Sequence, residues 1–269
     1  MTAMRQPQLS SAFYIPLGAG RYEPTESTIG PWAPGTQHGG PPGALLMHAL
    51  STYPSEHGLE IARITIEILG PVPVGACEIT VERVRGGKRI ELLRGQYATG
   101  GKVFMTAHAW RTERVPGIAP AITDPFVVPP MPDKATEGYF QGIEYFPYGD
   151  ALEWRFVEGG FDHVGVATVW ARPRIPLIEG HETSGLESLI LMIDSANGVS
   201  AELDIRKWSF VPVDLSVGIY RLPQGPWVGM SARSVVQSNG VGQTIAKAFD
   251  REGALGHSMQ TLFVRPHSK

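Results

Sequence analysis

The sequence carries one pattern of apolar runs and turns twice, and this internal repeat limits the possible fold more than any other feature. Runs that alternate apolar and polar residues are typical of strands, and turns rich in Gly, Asn and Asp join antiparallel neighbours. A constant offset between two copies indicates a duplicated structural unit. The offset is 152 residues at three pairs of markers, namely Pro71 and Pro223, Gly86 and Ser238, and Gly101 and Gly253.

Each copy is predicted to form a four-stranded antiparallel meander preceded by a helix. The helices are expected at the apolar segments 41–53 and 184–199, which are apolar on most sides and should be buried. Ser184, with Glu187 three residues later, matches the capping box that begins many helices. The strands are expected at residues 61–69, 77–85, 89–98 and 103–111, and again at 210–220, 227–237, 242–249 and 255–264.

These elements predict an α+β fold with two helix-plus-antiparallel-sheet repeats in one chain. We expect an N-terminal repeat over residues 1–114, a linker over 115–150 and a C-terminal repeat over 151–269. Six prolines between positions 116 and 132 exclude regular structure from much of the linker. A hairpin is predicted after the linker, at residues 152–161 and 164–172.

The composition narrows the class of protein. Of 269 residues, 42% are hydrophobic and 18% charged, and the net charge of −3 offers no basic surface for nucleic acid. The longest apolar run, residues 189–193, is far shorter than the roughly 18 residues of a membrane-spanning helix. The polar N-terminus is unlike a signal peptide, and the single cysteine, Cys77, excludes an intramolecular disulfide. We therefore expect a cytoplasmic protein without a membrane span.

The usual signatures of nucleophilic, nucleotide and metal chemistry do not occur in the sequence. His38-Gly39-Gly40 is similar to the oxyanion loop of some lipases, but the Gly-x-Ser-x-Gly elbow that should accompany it is missing. No phosphate-binding Gly motif follows a predicted strand. The eight histidines are scattered without metal-ligand spacing. No metal site and no cofactor are therefore predicted.

Four residues remain as candidates for a site. Gly39 and Gly40 lead into the first predicted helix, whose N-terminal amides can bind an anion or an oxyanion. Asp194 follows an apolar run in the second helix, and Gln260 interrupts an apolar strand. Two interpretations stay open for Asp194: it is hydrated at the end of its helix, or it is a carboxylate held at the edge of the core to activate water.

Several short segments, in their order and spacing, resemble a known family. They are Gly39-Gly40, Ile68-Leu69-Gly70-Pro71-Val72-Pro73-Val74-Gly75, Leu152-Glu153-Trp154-Arg155, Val213-Asp214-Leu215-Ser216, Tyr220-Arg221-Leu222-Pro223 and Asp250-Arg251-Glu252-Gly253. Over residues 13–266 the chain resembles the acyl-CoA thioesterase II-like (TesB-like) double hotdog proteins. The resemblance implies two helices, each wrapped by an antiparallel sheet.

The resemblance also implies hydrolysis of acyl-CoA thioesters to free acid and CoA, without a covalent nucleophile. In that family an Asp, a Thr or Ser, and a Gln hold the attacking water, and Asp194 and Gln260 match the first and the last. The position of the hydroxyl residue holds Pro212. The thioester carbonyl is expected against the helix amides at Gly39 and Gly40. A homo-oligomer is also expected from the resemblance.

Three alternatives accompany this prediction. Pro212 favours a non-catalytic acyl-CoA-binding protein with the same fold. A hotdog hydratase is disfavoured because the Gly-Asp-x-Asn-Pro-x-His run of those enzymes is missing. A second site in the first repeat would use His48 or His108, and the offset of 152 places His108 at the position of Gln260.

Overall fold

One continuous antiparallel sheet contains nearly all of the strands that the sequence predicts. The computed structural model describes residues 9–33, 35–136, 138–140, 143 and 146–267. The first part of the chain forms β1 (Tyr14–Gly18), β2 (Arg21–Pro24), α1 (Gly40–Thr52), β3 (Glu60–Ile68), β4 (Cys77–Arg85), β5 (Ile90–Thr99) and β6 (Lys102–Thr112). The second forms α2 (Pro147–Asp150), β7 (Leu152–Glu158), β8 (Ala167–Pro173), α3 (Gly185–Ile193), α4 (Ala196–Val199), β9 (Trp208–Pro212), β10 (Asp214–Ile219), β11 (Val228–Val236), β12 (Val241–Asp250) and β13 (Gly253–Pro266).

The order of the strands shows the duplication directly. Along the sheet the strands follow the order β1-β2-β4-β5-β6-β3-β10-β13-β12-β11-β8-β7, and β9 adds to the end of β13. The two meanders therefore join through β3 and β10. Thr65 pairs with Ser216 at this junction, and their hydroxyl oxygens lie 3.1 Å apart. The α+β prediction and all eight predicted meander strands are confirmed, although the strand expected at residues 210–220 is divided at Val213 into β9 and β10.

Strand register corrects the offset between the repeats from 152 to 151. Thr65 pairs with His108 in the first repeat, and Ser216 pairs with Met259 in the second. Ser216 follows Thr65 by 151 residues, and Met259 follows His108 by the same number. Gln260 therefore corresponds to Ala109, and the predicted match with His108 is wrong. Turn residues tolerate a shift of one position, whereas a shift of one in a strand turns every side chain to the other face of the sheet.

The two long helices pack against each other on the inner face of the sheet. Every residue of α1 from Gly40 to Met47 is buried, which explains why its apolar residues surround the whole helix. Gly43 permits this close contact, since a Cβ there would lie 3.2 Å from Ile190 of α3. The predicted capping box of Ser184 and Glu187 is present at the start of α3.

The second helix differs from its prediction, because it is interrupted. Residues 184–199 were expected to form one helix, but α3 ends at Ile193 and α4 begins at Ala196. The amide of Ser195 bonds to the carbonyl of Met192, three residues back, which tightens the chain at the end of α3. The interruption leaves Asp194 at the C-cap of α3.

The described residues between β6 and α2 contain no helix or strand, as the prolines predicted. This segment nevertheless packs on the second repeat. Phe126 lies against Phe249, and Asp124 accepts two hydrogen bonds from the ammonium group of Lys247. No helix in the described part of the chain is long and apolar enough to cross a membrane.

Candidate active site

Asp194 is a nearly buried carboxylate, with 4% of its surface exposed. The interruption between α3 and α4 places it against the start of α1. Its Oδ2 atom lies 3.1 Å from Nδ1 of His38. An ionised carboxylate in such a position requires a hydrogen-bonding partner, because the cost of burying an unpaired charge is several kcal/mol. His38 is the partner that the structure provides among the described residues.

Gln260 bridges the interruption in the helix from the neighbouring strand β13. Its side chain is fully buried. Nε2 donates a hydrogen bond of 3.0 Å to the backbone carbonyl of Asp194, and Oε1 accepts one of 3.2 Å from the backbone amide of Asn197. The polar residue in an apolar strand thus satisfies backbone groups that α3 and α4 leave unpaired. The structure brings Gln260 to Asp194, but it contacts the backbone of that residue.

A cavity of about 390 Å³ opens beside the Asp194 carboxylate. Its size lies within the range of small-molecule sites. Of the described residues, Asp194 and His38 are the ones with ionisable side chains that line it. The amide of Gln37 also faces the cavity, but its Nε2 already donates to the carbonyl of Pro73 and to the hydroxyl of Tyr97. The apolar wall comprises Trp32, Ile68, Leu69, Pro71, Val72, Val211, Pro212 and Val213.

His38 is held firmly at the inner end of this cavity. Its imidazole is stacked on the ring of Tyr148, with 3.8 Å between centroids and 6° between planes. Its backbone amide donates to the carbonyl of Thr28. The run His38-Gly39-Gly40 is the sequence signal for this residue, but its similarity to the oxyanion loop of lipases indicates no partner for the histidine. Only the fold shows that His38 meets Asp194.

Nδ1 of His38 can serve only one of two neighbours. It lies 3.1 Å from the Asp194 carboxylate and also 3.1 Å from the backbone nitrogen of Gly40. A proton on Nδ1 would pair the carboxylate and leave the Gly40 amide without an acceptor, at a cost of roughly 1–3 kcal/mol. A lone pair on Nδ1 would leave the ionised carboxylate unpaired, which costs more. The tautomer with the proton on Nδ1 is therefore favoured while Asp194 is ionised.

The two glycines have different positions relative to the cavity. Gly39 lines it, and a Cβ at this position would lie 2.7 Å from Oδ2 of Asp194. Its amide has no acceptor among the described residues. Gly40 is buried below the cavity, where a Cβ would lie 2.6 Å from the carbonyl oxygen of Leu191. Pro41 and Pro42 have no amide hydrogen, so Gly39 is the one described residue at the start of α1 whose amide lies at the cavity, where we expected a pair of amides.

Tyr148 connects the imidazole to the α3 backbone. Its hydroxyl donates to the carbonyl of Leu191 and lies 2.9 Å from Oγ of Ser195. Burial raises the pKa of Tyr148 well above its ordinary value, and the Asp194 carboxylate adds to this effect, while the hydrogen bond with Ser195 opposes it. Tyr148 is therefore a neutral, fixed support for the ring of His38.

Pro212 lines the cavity and provides no hydroxyl group. It is the last residue of β9 and pairs with Leu262. Ser216 lies at the centre of the sheet with its hydroxyl at Thr65, so it cannot replace the missing group. Ser209 does line the cavity and is the nearest hydroxyl along the same strand.

The other histidines considered from the sequence do not lie at this site. Nδ1 of His48 is 2.8 Å from Oε1 of Glu187, at the other end of the paired helices. His108 lies between two fully buried alanines of β6 and therefore faces the opposite side of the sheet from them. In the part of the chain that the structure describes, no three His, Cys, Asp or Glu side chains converge in a way that could hold a metal ion.

Comparison with solved structures defines the class of fold. The chain is similar to a putative thioesterase II from Thermobifida fusca YX, with 15% identity and a TM-score of 0.73 over 96% of both chains. It is also similar to a hot dog fold protein of unknown function from Alicyclobacillus acidocaldarius, with 18% identity and a TM-score of 0.69 over 93% of both chains. For the acyl-CoA thioesterase II TesB2 of Mycobacterium marinum, the identity is 19% and the TM-score 0.66 over 95% of both chains. The predicted double hotdog fold is confirmed.

The sequence itself defines the family. Residues 28–112 match the acyl-CoA thioesterase N-terminal domain, and residues 124–264 match the acyl-CoA thioesterase C-terminal domain. The chain therefore belongs to the acyl-CoA thioesterase family, as its resemblance to the TesB-like proteins predicted. No curated protein matches the sequence.

Proposed function

We propose that this protein hydrolyses acyl-CoA thioesters to a free acid and CoA, at the end of the cavity formed by Asp194 and Gly39. The observation that carries the proposal is the buried Asp194 carboxylate at the end of an otherwise mainly apolar cavity. Such a cavity can hold an acyl chain, and the carboxylate provides the charge needed to make a water molecule nucleophilic. Membership of the acyl-CoA thioesterase family supports the same reaction.

The roles of the site residues follow from their positions. The negative charge of Asp194 drives removal of a proton from the attacking water. The amide of Gly39, which has no acceptor among the described residues, donates to the thioester oxygen as negative charge develops there. One such preorganised donor contributes about 3–4 kcal/mol to transition-state stabilisation. Gln260 fixes the backbone of Asp194 and thereby the position of its carboxylate.

The substrate's CoA moiety would have to leave through the mouth of the cavity. Arg172, Arg174, Arg206 and Lys207 are basic residues that could contact its phosphates, and most of them are engaged elsewhere. Arg172 is bonded to Glu153 and stacked on Trp227, and Arg206 is bonded to Asp204. Lys207 precedes β9, whose Ser209 lines the cavity, and it forms no ion pair among the described residues. We therefore favour Lys207 over the arginines as a phosphate contact.

A non-catalytic acyl-CoA-binding protein is the second candidate, and Pro212 is the observation that favours it. Without a hydroxyl at this position, one hydrogen bond to the attacking water is missing. The two functions differ in a simple assay of thiol release from acyl-CoA with purified protein. Release that depends on Asp194 supports the hydrolase, whereas binding of the acyl-CoA without release supports the binding protein.

Homo-oligomerisation is a further part of the proposal. The outer face of the second meander exposes a group of apolar side chains. Strand register pairs Val241 with Phe263 and Ile245 with Met259, and the pair Gln243 and Thr261 lies between them. Exposed apolar side chains that cluster on a sheet face are typical of protein interfaces. Light scattering on the purified chain would test this prediction, and a monomer at high micromolar concentration would contradict it.

A further inference from the structure

His38 has a buried imidazole at the site, yet the Asp, hydroxyl and Gln set implied by the family resemblance gives it no role. On the basis of the proposed hydrolysis, we infer that Nε2 of His38 is the atom that accepts the proton of the attacking water. Asp194 then acts through the imidazole, as its partner at Nδ1, and does not itself take the proton from water.

The first support is the availability of Nε2. With the proton on Nδ1 and directed at Asp194, Nε2 carries the lone pair. Nε2 has no hydrogen-bond partner among the described residues, and it is not one of the fully enclosed polar atoms that lack a partner. His38 belongs to the lining of the cavity, and the proposal places the attacking water at this nitrogen. A carboxylate on Nδ1 is the arrangement that orients a histidine base in hydrolases.

The second support is the fixed position of the ring. The face of the imidazole rests on Tyr148, and its Nδ1 is held by the carboxylate of Asp194. The titratable groups that face it are the carboxylate of Asp194, from the end of α3, and the hydroxyl of Tyr148, from α2. Tyr148 remains neutral, so Asp194 is the one charge among the described residues that can stabilise an imidazolium here.

The third support is that two members of the set implied by the resemblance are not free to hold the water. Pro212 has no hydroxyl, and the amide of Gln260 is bonded to the backbone on both sides of the helix interruption. The set implied by the resemblance therefore lacks its hydroxyl at Pro212, and its Gln is already hydrogen-bonded to the backbone. A histidine base compensates for both, since it receives the proton and positions the water with the same nitrogen.

The reaction balances without an additional reactant. The water oxygen forms a bond to the thioester carbonyl carbon while one of its protons moves to Nε2 of His38, and the carbonyl π electrons move to oxygen, near the amide of Gly39. When the tetrahedral intermediate collapses, the carbon–sulfur bond breaks. The sulfur keeps the bonding pair and receives the proton from Nε2. The products are the free acid and the thiol of CoA, and the imidazole is neutral again.

The test is chemical rescue of His38→Ala. This change removes the ring that fills the space between Tyr148 and Asp194 and leaves room for a free imidazole. We expect kcat for thiol release to fall about 10²–10⁴-fold, the usual contribution of a general base. Added imidazole should restore at least a tenfold increase, in proportion to the unprotonated imidazole in solution. The same additive should have no effect on Asp194→Asn, which retains its own ring.

His48→Ala is the matched control, because His48 also pairs a carboxylate through Nδ1 but lies outside the cavity. Its kcat should remain that of the wild-type chain, with or without imidazole. If His38→Ala does not give a native circular dichroism spectrum, His38→Gln replaces it, and its kcat should fall within the same range.

The results separate this inference from the proposed function. A wild-type chain that releases thiol, with kcat retained within threefold in His38→Ala or His38→Gln, overturns the role of His38 and leaves the hydrolase intact. Loss of activity in a folded His38→Ala without rescue by imidazole also overturns it, because the ring then has a structural role. A wild-type chain without thiol release refutes the proposed function itself, and the inference with it.

Discussion

Adding a single methyl group at Gly39 should displace the Asp194 carboxylate while leaving the fold intact. A Cβ on Gly39 would lie 2.7 Å from Oδ2, 3.0 Å from Oδ1 and 3.1 Å from Cγ of Asp194. Ordinary contact begins at 3.4 Å, so the carboxylate must move by about 0.7 Å. The imidazole of His38 is stacked on Tyr148 and cannot follow, so the displacement disturbs the 3.1 Å contact between Asp194 and His38.

The expected effect is on the rate and not on folding. A displacement of about 1 Å in a catalytic group costs roughly 10²-fold in rate, so Gly39→Ala should lower kcat by about 10–100-fold. The backbone angles of Gly39, φ −66° and ψ −22°, are ones that alanine adopts without strain. The free energy of unfolding should therefore change by less than about 1 kcal/mol. The assay is steady-state thiol release from an acyl-CoA, with urea denaturation in parallel.

Gly43→Ala is the matched control, one turn later on the same helix. Its added methyl group contacts Ile190 at 3.2 Å and Ile66 at 3.3 Å, in the apolar core, and touches no group of the site. We expect a small change in stability and an unchanged kcat. A folded Gly39→Ala with the wild-type kcat would refute the reasoning, because the position of the Asp194 carboxylate would then be irrelevant to turnover.

Three further predictions concern neighbouring groups. Pro212→Thr adds a hydroxyl beside the cavity and should raise kcat about fivefold, the equivalent of one hydrogen bond of ~1 kcal/mol; an unchanged kcat would show that this group does not limit turnover. Gln260→Ala leaves the Asp194 carbonyl and the Asn197 amide buried and unpaired. The free energy of unfolding, measured by urea denaturation, should therefore fall by about 2–6 kcal/mol. A fall of less than about 1 kcal/mol would contradict the bridging role of Gln260. Burial raises the pKa of Cys77 from 9.0 to about 11, so the thiol should resist iodoacetamide at pH 8 until the chain is unfolded, which mass spectrometry would show. Because its pKa is higher in the folded chain, the stability from Cys77 is complete below pH 9 and declines as the pH rises towards 11.

Most of the fold could be predicted because strands and turns leave a local record in the sequence. Alternating residues placed the strands of both meanders close to their observed bounds, and the pair Ser184 and Glu187 marked the start of α3. The strand register needed the structure. Turn residues suggested an offset of 152, and only the hydrogen-bonded pairs of β3 and β10 with their neighbours fix it at 151.

The site was predicted in part, for a physical reason. Asp194 and Gln260 stood out as polar residues in apolar runs, which is a local signal. The contact of Asp194 with His38 joins two distant parts of the chain, and no periodicity records it. The interruption after Ile193 was missed because the residue that stabilises it, Gln260, lies on the last strand. Gly39 lines the cavity and Gly40 packs on α3. The sequence does not distinguish them, because the residues that they contact are far away along the chain.

The central claim is that Asp194 supplies the charge for hydrolysis of acyl-CoA, and one measurement tests it most directly. Thiol release from short, medium and long acyl-CoAs should be measured with the wild-type chain and with Asp194→Asn. We predict release from at least one substrate, reduced about 10³-fold or more in a variant that retains its fold. Equal release by the two proteins would contradict the claim, and so would a folded wild-type chain that binds acyl-CoA and releases no thiol.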